Sequence, residues 1–224
     1  MEYRHEIKHF ISPADAVAIR RNLTAVASID PHAGKDGGYC IRSLYFDDPA
    51  DTALWEKLDG VNERRKFRIR YYNGDTTLIH LEKKSRRSGL GTKYSAVLSA
   101  EEVQKILDGT IDWMRDCDRP LVQELYCKMR SQGLRPKTIV DYIREPYVFR
   151  PGNVRVTFDR EIRTALSCSD FLNPDCVTIP AGNAGIILEV KWDEFLPDII
   201  RDAVWMPGRR ETAFSKYAQC RIYG

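Results

Sequence analysis

A cation alternates with an apolar residue along the stretch 66–71. Successive side chains of a β-strand point to opposite faces, so a strand here places Lys66, Arg68 and Arg70 on one face. A fold keeps such a row of like charges only where anions lie against it or where water reaches the whole face. A solvated strand face is the simplest interpretation of a single row. Similar rows on other strands favour an anionic ligand.

The same alternation, bounded by glycine, proline and polar turns, predicts eight strands and a short additional one. They cover about residues 2–10, 39–47, 63–73, 77–87, 91–98, 138–149, 154–164 and 185–193, with the short one at about 176–180. Start and stop signals predict helices between them. These run from Ser12 to Ala27, Asp48 to Gly60, Ser99 to Gly109, Pro120 to Ser131, Leu196 to Trp205 and Ser215 to Arg221. The segment around Gly89 is predicted to be a hairpin turn.

Charged residues occupy one face of the other predicted strands as well. Taken two positions apart, they form the sets Arg4, Glu6 and Lys8; His80, Glu82, Lys84 and Arg86; Tyr142 and Arg144; Arg155, Thr157 and Asp159; and Glu189 and Lys191. The opposite faces are apolar and include Phe67, Ile69, Leu81, Val156, Leu188 and Trp192. Solvated faces usually mix Thr, Ser and Gln with their charges, whereas these are nearly all Arg, Lys and Glu. About ten cations on one sheet face would destabilise the fold unless anions lay among them.

A closed barrel accounts for both kinds of face. We therefore predict an α+β fold with a closed eight-stranded antiparallel β-barrel, helices packed outside it and the charged rows inside. Such a barrel can hold one small ligand, and a narrow cavity with low-dielectric walls concentrates anions. Guanidinium groups bind phosphate oxygens in pairs, and carboxylates bind Mg²⁺ or Mn²⁺. The rows thus predict a site for a phosphate chain and a divalent metal.

Composition narrows the class of protein. The 224 residues show no repeat and no linker, which predicts a single domain over 1–224. The net charge is only +3, and this argues against a general nucleic-acid binder. We expect no signal peptide and no membrane segment, because no long apolar run is present. The six cysteines lack zinc spacing, so we expect reduced thiols in a cytoplasmic protein.

Eight short motifs carry a resemblance to a known family. They are Glu6-Ile7-Lys8, Ser43-Leu44-Tyr45-Phe46-Asp47, Lys66-Phe67-Arg68-Ile69-Arg70, Glu82-Lys83-Lys84, Tyr142-Ile143-Arg144, Arg155-Val156-Thr157-Phe158-Asp159, Leu188-Glu189-Val190-Lys191 and Phe214-Ser215-Lys216-Tyr217. Each motif is weak alone. Together, in this order and over nearly the whole chain, they resemble the triphosphate tunnel metalloenzymes of the CYTH superfamily, and among these the VTC-type polyphosphate polymerase domain.

The resemblance implies a tunnel that binds triphosphate and polyphosphate. It implies transfer of the γ-phosphoryl group of ATP onto a growing polyphosphate chain, with Mg²⁺ or Mn²⁺ as cofactor. The implied metal ligands are Glu189 and, secondarily, Glu6. The implied catalytic residues are Arg68, Arg70, Lys84 and Lys216. The implied phosphate-binding residues are these four together with Lys8, Lys66, Arg144, Arg155 and Lys191.

One departure from the superfamily pattern lies in the first strand. Where the superfamily has Glu-x-Glu-x-Lys, this chain has Arg4-His5-Glu6-Ile7-Lys8, so only the second glutamate is present. VTC-like members share this loss, which favours a polymerase over a triphosphatase. It also leaves fewer carboxylates for a second metal.

Three functions stay open on the sequence alone. They are the polyphosphate polymerase, a metal-dependent triphosphatase acting on inorganic or organic triphosphate, and a non-catalytic module that binds polyphosphate or RNA. An ion pair between Glu6 and Lys8 is the alternative to their ligand roles, and Arg86 and Arg87 are assigned to a solvated hairpin end. The expected ligands are ATP and polyphosphate without a specific nucleic acid, and a membrane-protein partner for the product is left open.

Overall fold

The computed structural model describes residues 4–34, 36–87, 90–182 and 185–223. In these residues the strands are β1 (His5–Ile11), β2 (Ser28–Ile29), β3 (Tyr39–Asp47), β4 (Arg64–Tyr72), β5 (Asp75–Arg87), β6 (Leu90–Leu98), β7 (Arg135–Phe149), β8 (Val154–Ala165), β9 (Thr178–Pro180) and β10 (Ile186–Trp192). The helices are α1 (Pro13–Val26), α2 (Thr52–Leu58), α3 (Ala100–Leu107), α4 (Pro120–Gln132), α5 (Asp198–Ala203) and α6 (Lys216–Tyr223). Short 3₁₀ turns lie at Asp112–Met114, Pro151–Asn153 and Cys168–Leu172. The turn predicted at Gly89 lies outside the described residues.

The strands form one large sheet, in the order β1-β10-β8-β7-β3-β4-β5-β6, with β2 added to β7 and β9 added to β8. The α+β class with a large antiparallel sheet is thus confirmed. The closed eight-stranded barrel is wrong, because the sheet has ten strands and no pairing in the described ranges joins β6 back to β1. Alternation along a strand fixes which side chains share a face, whereas closure depends on the tilt and stagger of all strands together.

The chain divides into two compact units. The first unit comprises residues 1–40, 142–162 and 182–214, and the second comprises residues 41–141, 163–181 and 215–224. The core of the first unit includes Ile19, Leu23, Val156, Phe158, Leu188 and Val190. The core of the second includes Leu44, Phe67, Ile69, Leu81, Val103, Val122 and Ile139. The assignment of 1–224 to one domain stays a prediction.

The apolar halves of the alternating strands are buried, as the sequence pattern predicts. In the second unit, Ile69 and Leu81 are fully buried and Phe67 is nearly so. In the first unit, Val156 and Leu188 are buried. Trp192 is partly buried against the same core. Burial of these side chains, each worth roughly 1.5–3 kcal/mol, fixes which face of each strand carries the charges.

Helix boundaries follow the capping signals at α1, α3 and α4, whereas α2 and α5 begin later than predicted. Ser99 and Glu102 form a reciprocal capping box at the start of α3, as the sequence predicts. Helix α2 begins at Thr52 instead of directly after Asp48-Pro49, because the Asp47 carboxylate accepts hydrogen bonds from the backbone N–H of Ala53 and Leu54 at 2.9 and 3.1 Å. A short connection, rather than helix, therefore follows Asp48.

The β4–β5 hairpin sets the register of the most cationic strands. Its turn residues Asn73 and Gly74 have φ angles of 52° and 72°, which suits the tight turns that join antiparallel strands. This turn is followed by pairs that place Lys66 opposite Lys84 and Arg68 opposite Glu82. No helix in the described part of the chain is long and apolar enough to cross a membrane.

Candidate functional site

Strands β1 and β10 of the first unit bring four predicted site residues together. Glu6 pairs with Lys191 and Lys8 pairs with Glu189, so opposite charges face each other across the ladder. Lys8 Nζ lies 2.6 Å from Glu6 Oε1 and 3.4 Å from Glu189 Oε1. Lys191 Nζ lies 3.1 Å from Glu189 Oε2 and 3.5 Å from Glu6 Oε2. The two ammonium groups and two carboxylates form a closed charge ring, which includes the ion pair between Glu6 and Lys8.

Arg144 on β7 contributes a further cation to Glu189. Its guanidinium donates to both Asp159 oxygens at 2.6 and 2.7 Å and to Glu189 Oε2 at 3.1 Å. Burial opposes the charge of Arg144, but Asp159 outweighs burial and raises the Arg144 pKa. Burial also opposes the charge of Lys8, whose pKa is nevertheless raised by Glu189 and Glu6. The cations of this unit are therefore held by nearby carboxylates.

Strand β8 supplies Arg155 and Thr157 beside this ring. The Arg155 guanidinium donates to Asp30 Oδ2 at 2.8 Å and to the Tyr39 hydroxyl at 2.5 Å. Thr157 lies directly opposite Glu189 in the β8–β10 ladder. Thr157 Oγ1 and Arg155 Nε are both buried without a hydrogen-bond partner among the described residues. Because a buried unpaired polar atom is costly, these two atoms point to a polar ligand.

The second unit gathers its cations on β4, β5 and β6. Arg68 Nε donates to Glu82 Oε2 at 2.6 Å, and Arg68 Nη1 donates to the Tyr45 hydroxyl at 3.0 Å. Lys93 Nζ lies 2.5 Å from the other Glu82 oxygen. Arg70 Nε donates to Ser43 Oγ at 2.8 Å. Arg68 and Arg70 are buried, so these bonds hold their guanidinium groups in fixed orientations.

The field around Arg68 and Arg70 favours anions. Burial opposes the charge of Glu82, but Arg68, Arg70 and Lys93 outweigh it and lower the Glu82 pKa far below its usual range. Burial also opposes ionisation of Tyr45, yet Arg68, Arg70 and the more distant Lys216 lower the Tyr45 pKa. An anionic ligand would meet the same stabilising field.

Lys66 and Lys216 extend this cationic cluster. The Lys66 ammonium group lies 4.9 Å from the centre of the Tyr217 ring. Burial lowers the Lys66 pKa to about 8, and Lys57 and Arg64 add to that effect against the opposing Tyr45 and Asp47. Lys216 is the first residue of α6, where a helix dipole disfavours a cation. Lys66 therefore carries its charge at some cost.

The two units differ in how their charges are balanced. In the second unit Lys66, Lys84 and Lys93 lie directly side by side across three strands, and like charges in such positions repel. This cationic face consists of Lys66, Arg68, Arg70, Lys84 and Lys93. Along the same stretch, Glu82 is the one carboxylate that the described residues place on this face. The cationic face is thus undercompensated, whereas the cations of the first unit are paired.

A family model for the VTC domain matches residues 3–222, nearly the whole chain. The chain belongs to the VTC domain family. Membership supports a function related to polyphosphate or triphosphate. No curated protein matches the chain at a significant level.

The VTC domain is also similar to solved structures at low sequence identity. The PH1819 protein of Pyrococcus horikoshii OT3 is 16% identical, with a TM-score of 0.44, over 90% of this chain and 84% of that one. The PH1012 protein of the same organism is 16% identical, with a TM-score of 0.45, over 92% and 86%. A protein provisionally described as an adenylate cyclase from Bacillus halodurans is 14% identical, with a TM-score of 0.46, over 90% and 86%.

The oxygen donors of the first unit fit a divalent metal, with one condition. Glu189, Glu6 and the unpaired Thr157 hydroxyl are hard oxygen donors, which Mg²⁺ and Mn²⁺ prefer. However, Lys8 and Lys191 bind both carboxylates in this arrangement. Within the described ranges, no group of three or more His, Cys, Asp or Glu residues is arranged to hold a metal. A metal at Glu189 therefore requires the two ammonium groups and the Arg144 guanidinium to release its oxygens.

Every predicted site residue of the VTC domain lies in one of these two clusters, and the contributions of Lys93, Tyr45 and Asp30 were not predicted. Lys93 was not predicted as a site residue, because the side chains of β6 could be aligned with those of β5 only once the register of the β5–β6 pair was known. Tyr45 was assigned no ligand role, although its partner Arg68 is a predicted site residue. Asp30 lies next to a strand of two residues, β2, which no alternation pattern marks. The predicted ligand roles themselves stay predictions.

Proposed function

We propose that this VTC domain is an ATP-dependent polyphosphate polymerase, which transfers the γ-phosphoryl group of ATP to the end of a growing polyphosphate chain and releases ADP. The observation that carries the proposal is the undercompensated cationic face of the second unit. A row of five cations with one carboxylate favours a ligand with several negative charges close together. A phosphate chain has that charge pattern.

The transfer replaces one phosphorus–oxygen bond with another. The bond between the γ-phosphorus and the β,γ-bridging oxygen breaks, and a terminal oxygen of the acceptor chain bonds to the γ-phosphorus. Charge spreads over the equatorial oxygens, so catalysis depends on positioning and on fixed positive groups. Arg68 and Arg70 are held by Glu82 and Ser43 before any ligand binds, which reduces the reorganisation needed in the transition state. The acceptor oxygen is already anionic and needs no strong base.

The remaining residues have supporting roles in this proposal. Lys84 and Lys216 act with the two arginines on the transferred group, and Lys66 binds an adjacent phosphate. Lys8, Arg144, Arg155 and Lys191 bind phosphates in the first unit. Glu189, with Glu6, would hold Mg²⁺ or Mn²⁺, which would neutralise part of the phosphate charge there. All six cysteines are free thiols, which supports a reducing compartment, and we place the activity in the cytoplasm.

Incubation with ATP and Mn²⁺ or Mg²⁺, followed by a gel that resolves phosphate polymers, tests the proposal. We expect the unmodified chain to form polymer. In Arg68→Ala the rate of polymer formation should fall by about 10²-fold or more, as it does when a preorganised transition-state donor is removed. Arg68→Lys, which keeps a charge beside Glu82, should fold and retain partial activity. Arg65→Ala is the matched control, because Arg65 is exposed and paired with Glu63.

Other outcomes of the same experiment identify the alternatives. Release of orthophosphate without polymer would make the domain a triphosphatase. Salt-sensitive binding of polyphosphate without turnover, unchanged in Glu189→Gln, would make it a non-catalytic module. The metal assignment is checked separately by Mn²⁺ binding, measured by calorimetry, which should be lost in Glu189→Gln and kept in the exposed control Glu194→Gln.

A further inference from the structure

Two arginines continue the cationic face at the far end of the β4–β5 ladder. Arg64 and Arg86 lie directly opposite each other, two positions beyond the pair formed by Lys66 and Lys84. Since paired residues two apart share a face, both arginines lie on the side that carries Arg68. The sequence pattern alone assigned Arg86 to a solvated hairpin end, and the register instead joins it to the row.

Exposure changes steadily along this row. Arg70 and Arg68 are buried, at 5% and 8% exposure. Lys66 and Arg64 are half-buried, and Arg86 is exposed. From Arg70 to Arg64 the strand advances six residues, roughly 20 Å at about 3.4 Å per residue. The row therefore leads from a buried end to solvent over a length greater than a triphosphate group.

The two arginines are not paired with a carboxylate in the part of the chain that the structure describes. Arg64 Nη1 donates instead to the backbone carbonyl of Val61 at 2.9 Å. Burial and the charge of Arg86 both lower the Arg64 pKa, and Glu56 offsets this only in part. Arg65, the next residue on β4 and on the opposite face, is by contrast paired with Glu63 at 3.1 Å.

We propose that Arg64 and Arg86 form an additional subsite for inorganic polyphosphate, which holds the part of a long chain that extends beyond the phosphates at Arg68 and Arg70. This inference deepens the proposed function and rests on it for the identity of the chain. A linear polyanion is the ligand class that can contact a buried end and an exposed end of one cationic row simultaneously. A short anion can occupy only one of these positions.

The composition of the face favours a phosphate chain over nucleic acid. Proteins that bind single strands place aromatic side chains among their cations so that bases can stack on them. Between Arg64 and Arg70 on β4 and along the paired positions of β5, the described residues of this face include no Trp, Tyr or Phe. Tyr45 and Tyr217 lie near Arg68 and Lys66 but stack on each other, and the end of the row at Arg64 and Arg86 offers charge without an aromatic ring on that face of β4 or β5.

The test compares ligands of different length on the full chain. Calorimetry should give a loss of about tenfold or more in affinity for long-chain polyphosphate in the double variant Arg64→Ser/Arg86→Ser, as expected for losing charge-assisted contacts. Affinity for tripolyphosphate should change by less than about twofold, because tripolyphosphate is held at Arg68 and Arg70. Arg65→Ser, on the same strand but the opposite face, should leave both affinities unchanged.

Three results would overturn the subsite. They are an unchanged affinity for long polyphosphate, an equal loss for both ligands, and a loss for single-stranded RNA that exceeds the loss for polyphosphate. Failure of the polymerase proposal is distinguishable, because it would appear as absence of polymer from the unmodified chain. The binding contrast between the long and short ligands does not depend on turnover.

Discussion

Lys66 illustrates how one residue's surroundings set its charge. Its side chain is largely buried and Lys57 and Arg64 act on it, so the ammonium form is disfavoured and the pKa falls to about 8. The unfolded chain keeps the usual pKa of 10.5. Between these values the unfolded state holds a proton that the folded state lacks, so the Lys66 contribution to stability rises with pH over this window.

The same titration predicts how phosphate binding depends on pH. As pH rises through about 8, Lys66 loses its charge, and the affinity for tripolyphosphate should fall by about tenfold, or ~1.4 kcal/mol. Lys66→Arg should remove this decline, because arginine stays protonated. Calorimetric titrations between pH 6.5 and 9.5 on both proteins check the prediction, and the arginine variant corrects for titration of the ligand. A parallel decline in both would contradict it.

At the scale of elements, one carboxylate in the second unit connects strand β3 to helices α2 and α6. Asp47, at the end of β3, accepts the first N–H groups of α2 and a short hydrogen bond of 2.5 Å from the Tyr217 hydroxyl on α6. Asp47 and Tyr217 are almost completely buried. Tyr217 in turn lies under the Lys66 ammonium group and stacks on Tyr45. Helix α6 thereby places Tyr217 against Lys66 and Tyr45, next to the cationic face.

Tyr217→Phe should destabilise the fold by about 1–3 kcal/mol, because it removes a donor from a buried carboxylate. The free energy of unfolding from urea titrations measures this loss. Tyr223→Phe is the matched control on the same helix, since Tyr223 is 44% exposed and should change stability by less than about 0.5 kcal/mol. An equal loss of unfolding free energy in the two variants would show that the hydrogen bond from Tyr217 to Asp47 does not stabilise the fold.

At the scale of the whole chain, a net charge of +3 conceals an uneven distribution. The first unit neutralises its cations with carboxylates, while the second concentrates cations on one face. A polyanion that relieves repulsion on that face stabilises the folded state over the unfolded state by mass action.

Tripolyphosphate at about 100 times its Kd should therefore add ~2.7 kcal/mol of stability, which for a chain of this size corresponds to a rise of roughly 5–10 °C in Tm. Differential scanning calorimetry measures the shift, with acetate at equal ionic strength as the control for general salt effects. The shift should be smaller in Arg68→Lys. An equal rise with acetate would rule out a specific site.

Strand pattern and caps made much of this fold predictable from sequence. The segments 39–47 and 91–98 were located almost to the residue, since alternation and buried apolar positions mark them. The short strand β2 was not, because it depends on pairing with β7, which is distant in sequence. The start of α2 was not, because it depends on which backbone N–H groups the Asp47 carboxylate binds. Among site residues, the rows on individual strands were predictable, whereas Lys93 and the continuation through Arg64 and Arg86 required the register.

The sequence by itself determined which residues share a face, because side chains alternate along a strand and only one side can be buried. It also determined the family, through motifs spread over the whole chain. The tertiary structure decided which charges neutralise one another, namely the ring of Glu6, Lys8, Glu189 and Lys191 in the first unit, and Glu82 as the one carboxylate that the described residues of β4, β5 and β6 place on the cationic face of the second. It also decided that no strand pairing in the described residues joins β6 back to β1. Both outcomes depend on pairing between distant strands, and no local pattern encodes that pairing.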